Sequence, residues 1–85
     1  MTDILHITLY GTEHCHLCEQ ASDILHQVAA EIPCKIQHID ITTNDTLFAQ
    51  YQTSIPVLHI AEFKQSLNWP FNLADVIRLI SRHRL

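Results

Sequence analysis

Long apolar runs, basic charge and glycine are all scarce in this sequence. No apolar run approaches the ~18 residues of a membrane-crossing helix, so no membrane span is expected. Lys and Arg number five against nine Asp and Glu, a formal charge of −4. A nucleic-acid binder carries a basic surplus, so nucleic acid is excluded as a partner. Three of the five bases, Arg78, Arg82 and Arg84, lie in the final eight residues, where cations favour the negative end of a helix. The N-terminus, "MTDILHITLYG", has no basic n-region and reads as a strand, so no secretory leader is expected. Three cysteines fit poorly with a secreted disulfide framework. The chain is therefore expected in the cytoplasm, where free thiols persist.

What is present is globular. Apolar residues make up 47% of the chain and charged ones 16%, and 85 residues suffice for one domain spanning 1–85. There are no repeats, linkers or low-complexity tracts. "ILHITLY" (4–10) is β-branched and apolar on both faces, as in a strand covered on both sides, and ends at the sole glycine, Gly11. Leu17, Ala21, Ile24, Leu25, Val28, Ala29 and Ile32 then follow the spacing of one helical stripe, stopped by Pro33. "CKIQHIDI" (34–41) is a second strand. Thr43 or Asn44 can cap a short helix burying Leu47, Phe48 and Tyr51. "PVLHIAEFKQSL" reads as two strands around a glycine-free turn near Ala61–Lys64. Asn72, with Asp75 three residues on, caps a last helix whose stripe is Leu73, Val76, Ile77 and Ile80.

The order is thus β-α-β-α-β-β-α, an α/β chain. Its β-α-β unit is a right-handed parallel crossover, and its later β-β pair is antiparallel. Helices on both flanks of a four-stranded mixed sheet give the thioredoxin-like layout.

On this map the segment "LYGTEHCHLCEQA" stands at a strand-to-helix switch. Cys15 falls where the helix begins and Cys18 in its first turn. Unpaired N–H groups and the positive end of the helix dipole stabilise a thiolate there, and the thiolate is the nucleophile of disulfide exchange. Cys15, the more N-terminal, is the expected attacker and Cys18 the resolving thiol. His14 and His16, if protonated, lower a thiol pKa, whereas Glu13 and Glu19 oppose this. Two other readings of the pair stand beside this one: small apolar packing residues and part of a metal site. Zinc, however, wants four ligands, and no second Cys-X-X-Cys or finger-spaced His pair is present. Cys34 opens the second strand, far from the pair, and is read as an ordinary small residue. Trp69 and Phe71 are read as packing residues before the last helix. Pro56, in "TSIPVL", fits the first position of a strand, where proline is allowed.

"CHLCEQA", "IPVL" and "NWPF" together resemble the small glutaredoxin-like family, a thioredoxin-superfamily branch long labelled a domain of unknown function. The resemblance spans nearly the whole chain. It implies a cis Ile55–Pro56 bond facing the cysteines and an Ile55 backbone that pairs with a peptide-like substrate or glutathione as an added strand. The sequence departs from typical glutaredoxins in carrying His16 and Leu17 between the cysteines, and in lacking their Gly-Gly after the fourth strand. The resulting expectation is a thiol–disulfide oxidoreductase in which Cys15 and Cys18 are catalytic and Ile55, Pro56, His14 and His16 meet the substrate. It is expected to be a monomer with no bound cofactor, with a disulfide-containing protein or glutathione as partner and glutathione a candidate electron donor. The alternative from another class is a non-catalytic module that holds a protein, a metal or an iron–sulfur centre on the same fold.

Overall fold

Strand β1 (Leu5–Gly11) alternates strictly: Leu5, Ile7, Leu9 and Gly11 are buried, while His6, Thr8 and Tyr10 are exposed or half-buried. The computed structural model describes residues 4–13 and 15–84. Helix α1 (His16–Glu31) follows, then β2 (Cys34–Asp40), a 3-10 turn (Ile41–Thr43), α2 (Asp45–Tyr51), β3 (Val57–Ile60), β4 (Gln65–Asn68) and α3 (Leu73–Arg84). The sheet order is β2-β1-β3-β4, with β1 parallel to β2 and antiparallel to β3, and β3 antiparallel to β4. This is the expected α/β layout, with the parallel pair joined by a helix and the antiparallel pair by a tight turn.

One face of the sheet carries the core. Leu5, Ile7 and Leu9 of β1 and Leu58 and Ile60 of β3 meet Ala21, Leu25 and Val28 of α1 and Val76, Leu79 and Ile80 of α3. Each such side chain, taken fully out of water, contributes roughly 1.5–3 kcal/mol of transfer free energy. The first strand was expected to be covered on both faces, and it is not. Its second face is polar along most of its length, and only α2 covers part of it, through Tyr10 stacked on Tyr51 at 4.6 Å between ring centroids. Burial, together with the neighbouring Tyr51 hydroxyl, pushes the Tyr10 pKa up.

The apolar assignments on two helices also change. Helix α2 buries no side chain completely, and Phe48 is 44% exposed. Seven residues make barely two turns, so Leu47 and Tyr51 can face the sheet only by turning Phe48 outward. On α1, Leu17 is 43% exposed and Ala29 faces solvent, leaving Ala21, Leu25 and Val28 as the buried stripe.

The helix ends follow local chemistry. At α3, Asp75 N–H donates to Asn72 Oδ1 at 2.8 Å while Asn72 N–H donates to Asp75 Oδ2 at 3.0 Å, a reciprocal capping box. Asn44, not Thr43, caps α2, receiving the Leu47 N–H at 3.1 Å. Ile32 ends α1 in extended geometry (φ −124°, ψ 126°), as a residue before proline must. The β3–β4 turn closes without glycine by placing Lys64 in the left-handed region at φ 54°. No described helix is long and apolar enough to cross a membrane.

Candidate active site

The site is built where β1 stops and α1 starts. Cys15 is the N-cap of α1, extended at φ −92° and ψ 103°. Its Sγ takes the place that a serine or aspartate oxygen holds at other helix starts, accepting the Cys18 N–H at 3.2 Å. Its carbonyl accepts the Glu19 N–H at 3.1 Å, the first bond of the helix. Cys18 lies one turn in, and the two sulfurs are joined in a disulfide with the Cα atoms 5.1 Å apart. Both cysteines are half-buried. A thiolate released at Cys15 is therefore already aimed at a backbone donor and the positive end of a sixteen-residue helix.

Gly11 makes this arrangement fit. A Cβ at that position would lie 2.7 Å from Cys18 Sγ and 3.3 Å from Cys18 Cβ. The strand can approach Cys18 only because residue 11 has no side chain. Gly11 was missed as a site residue; being the only glycine, at the last position of the strand before the cysteines, was the available signal.

Two clefts flank the disulfide on its β2 side. One, of about 250 Å³, is lined by Leu9, Gly11, Thr12, Glu13, Cys18, His38, Ile39 and Asp40. The other, of about 280 Å³, is lined by Thr12, Glu13, Cys15, Cys18, Glu19, Ser22 and His38. His38 stands between them, held by Ser22 Oγ of α1 at 3.1 Å from its Nε2. Asp40 accepts both the N–H and the hydroxyl of Thr42, at 2.9 and 2.6 Å, and these bonds hold its carboxyl below the ordinary range. Nothing in the spacing of His38 marks it in the sequence, and only the β1–β2 register carries it to the cleft.

The other expected site residues divide. The His16 side chain is 80% exposed and lines neither cleft, with Nδ1 3.6 Å from a carboxylate oxygen of Glu19, which lines the second. His14 lies outside the described residues. The Ile55–Pro56 bond is cis, as the resemblance implies, and Pro56 is buried. Val57 pairs with Tyr10, so Pro56 stands at the Gly11 end of the sheet. The Pro56 carbonyl accepts the Trp69 N–H, and the Ile55 N–H donates to the Tyr51 carbonyl, both at 3.2 Å. Neither residue lines the two clefts. Trp69 packs edge-on against buried Phe71 at 5.1 Å, in the packing role expected of it. Cys34 is a half-buried free thiol at the opposite end of the sheet, and burial pushes its pKa up. Among the described residues no three His, Cys, Asp or Glu side chains come together as a metal site.

The model of the glutaredoxin-like domain (DUF836) matches residues 6–81. The chain belongs to this glutaredoxin-like family. Among solved structures it is similar to protein XcR50 of X. campestris, with 29% identity and a TM-score of 0.77, over 89% of this chain and 96% of that one. Protein Ne2328 of Nitrosomonas europaea is 26% identical at a TM-score of 0.79, over 94% of each chain. Thioredoxin 1 of Thermosipho africanus shares the fold at 20% identity and a TM-score of 0.66, over 92% of each chain. No curated protein matches the chain. In this glutaredoxin-like chain the family match runs from β1 into the last turns of α3, so it contains Gly11, both paired cysteines and the cis proline.

Proposed function

We propose that this glutaredoxin-like domain is a thiol–disulfide oxidoreductase working through Cys15 and Cys18. The observation that carries the reading is the joined pair at the start of α1, with Cys15 Sγ on the Cys18 N–H. In the reducing direction the Cys15 thiolate attacks one sulfur of a disulfide R–S–S–R′. This forms Cys15–S–S–R and expels R′S⁻, which takes up a proton. The Cys18 thiolate then attacks the Cys15 sulfur, forming the intramolecular bond and expelling RS⁻, protonated in turn. Two electrons and two protons pass from the dithiol to the substrate, and a second dithiol, or glutathione, restores the reduced pair.

Helix geometry supports these roles. Cys15 sits at the cap, where its thiolate gains the dipole and a hydrogen bond, and Cys18 is pressed under Gly11, where an incoming sulfur has less room. Pro56 and the Ile55 carbonyl shape the substrate side. A monomer in a reducing compartment such as the cytoplasm fits a pair that must return to the dithiol form.

Mass measurement with and without reductant, followed by alkylation, is expected to show a two-hydrogen difference localised to Cys15 and Cys18. Cys18→Ser is expected to accumulate a mixed disulfide on Cys15, and Cys15→Ser to reduce exchange to background. A pair that never oxidises at any thiol–disulfide poise sinks the proposal.

A further inference from the structure

The two clefts beside the disulfide are lined by formal charge of one sign. Their formally charged side chains are Glu13, Glu19 and Asp40, and among the described residues no lysine or arginine joins them. Lys35 pairs with His6 while Asp40 pairs with Gly11, five residues along β2 and so about 16 Å away at ~3.3 Å per residue. Lys64 is in the β3–β4 turn, whose neighbour Ala61 donates to the His6 carbonyl. Arg78 stands 3.8 Å from Asp75 on α3 and, with Arg82, lines a separate cleft beside Asn68 and Pro70 on the β4 edge, which shares no residue with the two at the disulfide. Arg82 is a turn further on, next to His83, whose ring stacks on Phe63 beside that same turn. Arg84 closes α3. On the β2 side of the sulfurs an incoming disulfide therefore meets a negative rim.

Resting on the oxidoreductase reading above, we propose that the site selects disulfides carrying positive charge, as in a protein cystine flanked by lysine or arginine, and discriminates against anionic disulfides such as glutathione disulfide. The site is the cysteine pair itself; the carboxylates add the choice of partner. Glutathione brings two carboxylates and one ammonium per half, so its disulfide carries a net charge of −2. Arginine or lysine would strengthen recognition of those carboxylates, and among the described residues none lines the clefts. Like-charge juxtaposition slows encounter and suppresses the wrong partner, whereas opposite charge steers the right one.

The test compares stopped-flow oxidation of the reduced protein by cystamine (cationic), hydroxyethyl disulfide (neutral) and glutathione disulfide (anionic) at pH 8. Each rate is divided by that disulfide's rate with dithiothreitol in free solution, which removes intrinsic sulfur reactivity. Cystamine is expected to exceed glutathione disulfide by about tenfold at 10 mM ionic strength and by less than about twofold at 1 M, as the Debye length falls from about 30 to about 3 Å. The double variant Glu13→Gln/Glu19→Gln is expected to cut the low-salt ratio to about threefold, by removing two of three carboxylates that each act through solvent. Glu31→Gln, the same charge change at the far end of α1, leaves the ratio in place. Circular dichroism confirms that each variant is folded. A low-salt ratio near one overturns the proposal, as does a ratio insensitive to salt, or an equal drop in Glu31→Gln and in the double variant. Failure to oxidise even with hydroxyethyl disulfide brings down the oxidoreductase reading itself; normal exchange with it and no charge ranking brings down only the selectivity.

Discussion

At the Gly11 end of the sheet, the strand stops with a bare backbone, the helix opens on a sulfur, and two clefts reach the disulfide. At the His6 end, chain is tied to chain. Glu62 accepts the His6 N–H at 2.9 Å and meets its Nδ1 at 2.6 Å. Phe63 stacks on His83 at 4.8 Å, and the Leu5 N–H donates to the Pro33 carbonyl at 3.2 Å. One end leaves donors and space for an incoming molecule; the other satisfies its groups locally. The same four strands thus carry a reactive end and a fastened end, and substitutions at the two should separate chemistry from stability.

Gly11→Ala is the sharpest way to break that division. Its Cβ would fall 2.7 Å from Cys18 Sγ, nearer than real contacts allow, so either β1 or Cys18 must shift. A stability loss of about 1–3 kcal/mol is expected from overpacking, together with a displaced Cys15–Cys18 reduction potential. Chemical denaturation and equilibration against glutathione redox buffers measure the two. An unchanged potential would mean that the close approach at Gly11 plays no part in the chemistry.

Lys64→Gly acts at the fastened end. A side chain in the left-handed region costs roughly 1–2 kcal/mol, and glycine's extra freedom in the unfolded chain offsets part of the relief. A net gain of up to about 1 kcal/mol is expected by thermal or urea unfolding, with exchange rates unchanged. A changed exchange rate would show that the two ends are coupled.

Glu62→Gln is the smallest effect, about 0.5 kcal/mol or less after solvent screening of a partly exposed pair. Its pH dependence is more telling than its size. The hydrogen bonds from His6 hold the Glu62 carboxyl below its ordinary value of 4.5. A depressed carboxyl contributes stability that is complete above the unfolded value and lost as pH falls through the folded one. The gap between wild type and variant should therefore be full above about pH 5 and close as pH drops below 4.5. A gap that widens on acidification would contradict the assignment.

Much of the fold was legible because local patterns and burial agreed. The stripe of Ala21, Leu25 and Val28, the Asn72–Asp75 box, and the glycine-free turn all appear where residue type alone places them. Leu17 and Phe48 were misassigned because periodicity marks a face as apolar without saying whether a partner element is long enough to cover it. The outer side of β1 failed for the same reason: α2 spans only seven residues and meets the sheet mainly at one end, through Tyr51 on Tyr10.

For the site, spacing and position alone marked Cys15 and Cys18 as a pair at a helix start, since both features are local. That Gly11 must be bare to admit Cys18, that His38 and Asp40 line the clefts, and that no lysine or arginine among the described residues lines them were decided only by the tertiary structure. Strand register joins residues more than twenty positions apart, Gly11 beside Asp40 and Leu9 beside His38. No local pattern encodes such a neighbour, because it depends on how the crossover helix returns the chain to the sheet.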